Sequence, residues 1–273
     1  MTTKENKPIV VLVHGACHTP GHFDLLLRAL RADYQIIVPA LPSVGWDDRV
    51  SGKSWTDDVA LLHSLIDPHL DKGRQAIILG HSYGGVVVTH YAVGQSVAER
   101  AARGQKGGVV AVFYLAAIAL PAGKAVSDVT AESTALKVQD IDADIKVSFL
   151  NAAAGSILYA ADLADLYRGQ PGAEAAAQAK SDALIALCGG HSIAAFGEPT
   201  VHAAAEVAAP KTYFVCVRDE ALVPATQREM AKSCGAERVV ELDAGHSPFL
   251  VGRHVKTIVQ ELATAANTAV GSS

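Results

Sequence analysis

The feature that most restricts how this chain can fold is the pentapeptide Gly80-His81-Ser82-Tyr83-Gly84. It follows an apolar run at 75–79 and leads into 85–91, a stretch with helix-forming composition. Glycines two positions either side of a serine let a strand turn sharply into a helix, with the serine strained at the apex. Ser82 Oγ then stands exposed at the end of a strand. It also sits at a helix N-terminus, where the dipole favours developing negative charge. A glycine-rich turn without chemistry has the same local look, so the rest of the chain must decide.

The surrounding pattern provides the sheet that such a turn needs. Val/Ile/Leu-rich runs at 8–13, 34–38, 75–79, 109–116, 211–217 and 238–242 alternate with helix-like segments at 23–31, 55–70, 85–91, 224–234 and 254–265. Runs without polar alternation suit parallel strands covered on both faces. The expected fold is therefore α/β, with a mostly parallel, doubly wound sheet. The alternation lapses between residues 121 and 207, where no strand is legible and an Ala-rich run spans 173–186. Residues 1–120 and 208–273 are expected to form one core domain. Residues 121–207 are expected to form a helical lid insertion over the C-terminal edge of the sheet, where ligands bind in open α/β folds. Residues from about 267 to 273 read as a frayed tail.

Composition narrows the function. Apolar residues make up 50% of the 273 and charged residues 19%, enough for a packed core and too apolar for a disordered chain. A net charge of −5 gives no pull toward nucleic acid or an anionic membrane. No apolar run approaches the ~20 residues of a membrane span. The first seven residues are polar, without a secretory stretch. Cys17, Cys188, Cys216 and Cys234 are scattered with no CxxC spacing, which argues against a zinc site and a disulfide framework. Neither a metal cluster nor a dinucleotide fingerprint is legible, so no cofactor is expected. The expectation is a cytoplasmic protein with a small-molecule partner. Its oligomeric state is open, a homodimer being one option.

A serine hydroxyl needs a base, and the base needs an orienting acid. His246, in Asp243-Ala244-Gly245-His246-Ser247-Pro248, follows the run at 238–242 and so falls on the same sheet edge as Ser82. Asp219 follows the run at 211–217 and reaches that edge too, and its neighbour Glu220 is the competing acid. Ser82, Asp219 and His246 are the candidate catalytic residues. An oxyanion hole is expected from the N–H of Ala16, in the turn after the first strand, and the N–H of Tyr83. His18 and His191 are candidate substrate contacts, the second from within the insertion. His14 reads as fixing its turn, His81 as packing beneath the serine, and Cys17 as an apolar filler.

These pieces resemble the plant methyl esterase and hydroxynitrile lyase family of α/β-hydrolases, which includes the salicylate-binding methyl esterase. The matching segments are Val11-Leu12-Val13-His14-Gly15-Ala16-Cys17-His18, Leu79-Gly80-His81-Ser82-Tyr83-Gly84-Gly85, Ala111-Val112-Phe113-Tyr114-Leu115-Ala116-Ala117, Phe214-Val215-Cys216-Val217-Arg218-Asp219, Val223-Pro224 and Gly245-His246. The resemblance covers most of the chain outside the insertion and the helix at 22–31. It implies the α/β-hydrolase fold, the same triad and oxyanion donors, and cofactor-free cleavage of a carboxylic ester, with lactones as related substrates. Cyanohydrin cleavage with the same triad, or ligand binding without turnover, are the alternatives. Lyases of the family carry a Lys after the catalytic His and a Thr after the first strand's His, where this chain has Ser247 and Gly15.

Overall fold

Every residue of Ile9–Val13 (β1) is buried, because both faces of the strand are covered. Ile9, Val11 and Val13 pack into one apolar layer, Val10 and Leu12 into the other. This is the parallel-strand signature expected from the sequence. The computed structural model describes residue 4 and residues 6–130, 139–151 and 153–271. After β1 the described strands are β2 (Ile36–Ile37), β3 (Val44–Gly45), β4 (Gln75–His81), β5 (Gly108–Leu115), β6 (Gln139–Asp142), β7 (Val147–Leu150), β8 (Gly190–Ser192), β9 (Lys211–Cys216) and β10 (Arg238–Leu242). Six of them form one sheet in the order β10-β9-β5-β4-β1-β2, and every neighbouring pair is parallel. All six expected strands lie in this sheet.

The helices are α1 (Asp24–Leu30), α2 (Trp55–Leu70), α3 (Gly84–Ala92), α4 (Val97–Ala102), α5 (Val126–Thr130), α6 (Ala154–Leu158), α7 (Ala160–Leu166), α8 (Ala173–Ala186), α9 (Ala194–Gly197), α10 (Pro224–Ser233) and α11 (Gly252–Gly271). Leu62 and Ile66 of α2, Val87 of α3 and Met230 of α10 share the layer of Val11. Leu26 of α1 and Ile258 and Leu262 of α11 share the layer of Leu12. The sheet is thus wound on both faces, and truncating a fully buried leucine such as Leu12 or Leu62 to alanine costs about 2–5 kcal/mol. The N-terminus of α2 is capped by Ser54, whose N–H donates to Asp57 Oδ2 at 3.0 Å.

Two expectations are corrected. Residues 121–207 are not purely helical. They contribute β6, β7 and β8, which join β3 in an antiparallel sheet of order β3-β8-β7-β6. These strands are short, and β6 reads Gln-Asp-Ile-Asp, so they leave no apolar run to detect. Because β3 lies outside the insertion, the small sheet joins the two. Ala154, Leu158, Leu163 and Leu184 of the insertion also pack with Phe214 and Phe249 in the core. Second, residues 267–271 belong to α11 rather than to a tail, and Ala266 and Ala269 are buried there. No helix among the described residues is long and apolar enough to cross a membrane.

Candidate active site

The parallel strands β1, β4, β9 and β10 end on one edge, and each delivers one part of the site. At the end of β4, Ser82 adopts φ +52°, the strained left-handed conformation expected of the turn. Its carbonyl accepts from Gly85 N at 3.0 Å and Ile118 N at 2.9 Å, which holds the apex in place. Gly84 has no room for a side chain, since a Cβ would lie 2.5 Å from the carbonyl oxygen of Val13. The turn therefore presses directly against the end of β1.

His246 follows β10, and Asp219 lies in the turn after β9. His246 Nδ1 donates to Asp219 Oδ2 at 2.7 Å, and both side chains are almost wholly buried. The rest of the Asp219 carboxylate is also engaged. Oδ1 accepts from Ala221 N at 2.8 Å and Leu222 N at 3.0 Å, and Oδ2 accepts from Gln227 Nε2 at 2.8 Å. Four donors leave the carboxylate no freedom to turn away from the imidazole. Glu220 is exposed and takes no part in this arrangement.

Ser82 and His246 line one cavity of about 50 Å³ together with Ala16, His18 and an apolar wall that includes Ile118, Leu150, Leu158 and Leu222. Leu150 and Leu158 come from the insertion. Among the described residues, neither the Ala16 nor the Tyr83 N–H has a protein acceptor. The loop after β1 is held by His14, whose Nε2 accepts from Leu41 N at 3.4 Å while Nδ1 donates to the Gly15 carbonyl at 3.0 Å. His81 packs under the turn and donates Nε2–H to the carbonyl of His246 at 2.8 Å, tying the serine and histidine loops together. His18 is on the cavity wall. Its Nδ1 donates to the Ala16 carbonyl at 2.9 Å and its Nε2 accepts from Tyr159 at 3.2 Å. Burial and the adjacent His22 hold its pKa well below the usual range, so the ring is neutral. His191 is not on the cavity wall. It is fully buried, and both ring nitrogens contact protein partners. Burial also pushes the Cys17 thiol far above its ordinary value, in keeping with a filler. No group of three or more His, Cys, Asp or Glu residues among the described ones is arranged to hold a metal.

Two residues that support the site were not legible in the sequence. Gln227 of α10 is fully buried and braces Asp219, its one signal being a polar side chain three residues before the buried Met230. Asp162 of α7 is fully buried, with Oδ1 accepting from Gly245 N at 3.0 Å and Oδ2 from Ser247 N at 2.9 Å. Burial raises its pKa to about 6, although the Ser247 and Gly245 donors pull the other way. One turn on, Asp165 pairs with Arg218, Arg168 and Arg253. Burial opposes the Asp165 anion, but these hydrogen bonds outweigh it and hold the carboxyl at about 2.

Comparison with known proteins agrees with this architecture. Residues 10–258 match the family model described as the alpha/beta hydrolase family. An alpha/beta hydrolase from Aspergillus novofumigatus, nvfD, is 27% identical over 97% of this chain and 98% of its own length. A pyrethroid hydrolase from Sphingobium faniae superposes with a TM-score of 0.67 at 19% identity, covering 94% of this chain and 97% of that one. A methylesterase from Arabidopsis superposes with a TM-score of 0.65 at 17% identity, covering 94% and 99%. At those identities the likeness of the two solved structures is one of fold. With the family match spanning nearly the whole chain, and a parallel sheet that delivers the serine turn to its C-terminal edge, the chain belongs to the alpha/beta hydrolase family.

Proposed function

We propose that this protein is a serine hydrolase that cleaves carboxylic esters with small or medium apolar acyl groups through an acyl-enzyme. The observation that carries this reading is the 2.7 Å pairing of His246 with Asp219 on the cavity that Ser82 also lines. In this mechanism Ser82 Oγ attacks the ester carbonyl carbon while His246 Nε2 takes its proton. Asp219 keeps the imidazole proton on Nδ1, so that Nε2 is the basic nitrogen, and stabilises the imidazolium. The N–H groups of Ala16 and Tyr83 receive the oxyanion, and one such donor contributes about 2.7–4 kcal/mol. His246 then protonates the leaving alkoxide and activates the water that releases the acid. The narrow apolar cavity supports a modest acyl group. Its wall of Leu150 and Leu158 supports the reading of residues 121–207 as a lid. A hydrolase and a methylesterase among the proteins of the same fold point the same way. Four unpaired cysteines are in keeping with a cytoplasmic setting.

Gly15 bears on the choice between hydrolysis and cyanohydrin cleavage. A Cβ there would lie 2.9 Å from Ser82 Cβ, so the turn as built has no room for the Thr of the resembling lyases. The test is a panel of p-nitrophenyl esters and lactones, with mandelonitrile alongside, offered to wild type and Ser82→Ala. Turnover of esters lost on Ser82→Ala is expected. Benzaldehyde release that exceeds the ester rate and depends on Ser82 contradicts the reading, as does an absence of Ser82-dependent turnover of any kind.

A further inference from the structure

Behind the oxyanion donors lies a buried polar chain that the mechanism above does not use. Its centre is Asp58, in the first turn of α2 and wholly inaccessible to solvent. Asp58 Oδ2 accepts from the Tyr83 hydroxyl at 2.7 Å and from the Ser43 hydroxyl at 2.7 Å, and Oδ1 accepts from Ser43 N at 3.0 Å. Since Ser43 gives its proton to Asp58, its oxygen accepts from His191 Nε2, 3.1 Å away. That fixes the His191 tautomer: Nε2 carries the proton, and the Nδ1 lone pair accepts from Cys17 N at 3.4 Å. The chain thus runs unbroken from the Cys17 backbone, through His191 and Ser43, to the same carboxylate that holds the Tyr83 ring. Cys17, Ser43, Asp58, Tyr83 and His191 are all fully buried.

The two ends of this chain are the two halves of the oxyanion hole. Tyr83 itself carries one donor N–H. Cys17 directly follows Ala16, which carries the other, and Cys17 is held at φ +60°, in the left-handed region that non-glycine residues seldom adopt. A segment in that conformation stays put only when its surroundings over-determine it. A buried carboxylate is costly unless it is fully hydrogen-bonded, and an apolar residue would pack the same space at lower cost. Here one bond it accepts comes from Tyr83 itself, and the other two come from Ser43, which His191 links to Cys17.

We propose that Asp58 is a positioning residue that sets both oxyanion donors at once, through Tyr83 on one side and through Ser43, His191 and Cys17 on the other. The proposal rests on the ester-hydrolase reading of Ser82. It predicts a defect confined to stabilisation of the tetrahedral oxyanion, with ground-state binding spared.

The test compares an ordinary ester with its thiono analogue, p-nitrophenyl acetate against O-p-nitrophenyl thionoacetate, in wild type, Asp58→Asn and Tyr83→Phe. Sulfur accepts weaker, longer hydrogen bonds than oxygen, so a well-set hole favours the oxygen ester and a misaligned one loses that preference. For Asp58→Asn, kcat on the oxygen ester should fall by about 10- to 100-fold with KM within about twofold, and the oxygen-over-sulfur preference should fall by about tenfold. Tyr83→Phe keeps the ring and removes one donor, so it should move the same two quantities in the same direction by a smaller factor. It carries the test alone if Asp58→Asn does not fold. Asp162→Asn, which acts on the histidine loop, should slow both esters in proportion. A fall in rate with the preference intact, or no fall in rate, overturns the proposal while leaving the hydrolase reading standing. No Ser82-dependent turnover by wild type overturns both.

Discussion

Asp162 brackets His246: its two carboxylate oxygens accept the backbone N–H groups of Gly245 and Ser247, the residues on either side of the histidine, at 3.0 and 2.9 Å. Asp162 belongs to α7 of the insertion, so a segment expected to cover the cavity also holds the loop that carries His246. Removing the carboxylate leaves two buried donors unpaired, at about 1–3 kcal/mol each. Asp162→Ala should therefore lower the melting temperature. It should also cut kcat on p-nitrophenyl acetate by about tenfold or more through misplacement of the imidazole. Unchanged kcat in a variant that is folded at the assay temperature would show that the loop keeps its shape without Asp162.

The acid assignment separates two adjacent residues. Asp219→Asn puts an amide where His246 Nδ1 needs an acceptor and favours the wrong tautomer, a lesion worth ~10⁴-fold in a serine protease. Glu220→Gln changes an exposed side chain and should leave kcat within about twofold of wild type, as surface changes away from a site usually do. Steady-state rates of the two variants on one activated ester decide the point.

The cavity wall should set acyl preference. Leu158→Ala opens the wall, and the rate ratio of p-nitrophenyl butyrate to acetate should rise by about tenfold or more, since a pocket methylene is worth ~1–3 kcal/mol. Ala195, in the core layer beside Phe196, offers the contrast: Ala195→Val should shift the melting temperature and leave that ratio alone. A ratio that responds to Ala195 and not to Leu158 would move the acyl pocket elsewhere.

Acid should destabilise the fold. Burial holds His14 and His22 at about 4 and His191 at about 3, against an ordinary 6.5, and keeps His18 and His81 well below that value as well. Below pH 6.5 the unfolded chain therefore binds protons at five sites that the folded protein leaves empty, down to about pH 4 for His14 and His22 and about pH 3 for His191. Asp58 and Asp162, raised by burial from 3.8 to about 6, act in the opposite sense, because the folded state protonates them first. Burial lowers His90 and His254 in the same sense as the five, so seven histidines against two carboxyls leave acidification destabilising. The melting temperature should fall steadily from pH 7 to pH 5, and a flat or rising profile would contradict the buried, neutral histidines.

What could be read in advance follows from how far each signal reaches along the chain. The six core strands announced themselves because a strand covered on both faces needs an apolar residue at every position, as Ile9–Val13 shows. The serine turn was legible because glycine at 80 and 84 is a local steric demand. The small antiparallel sheet was not, since Gln139–Asp142 is polar and exposed at the sheet edge and gains its order only from partners such as Val147–Leu150. Asp58, Asp162 and Gln227 look like ordinary polar helix positions. Their roles come from packing against loops distant in sequence, which no periodicity encodes. The position of His191 in the insertion points, on sequence alone, to a substrate contact. Its partners Ser43 and Cys17, far away in sequence, hold it off the cavity wall instead.

A nucleophilic Ser82 becomes acylated during turnover. The direct measurement is the intact mass of the protein quenched in acid within seconds of mixing with p-nitrophenyl acetate, followed by peptide mapping. One added acetyl group is expected, located on Ser82, absent from Ser82→Ala and lost on standing in wild type as water releases it. Acetylation at another residue, or ester turnover by Ser82→Ala at even about a tenth of the wild-type rate, would contradict this role for Ser82, because loss of a true nucleophile costs several orders of magnitude.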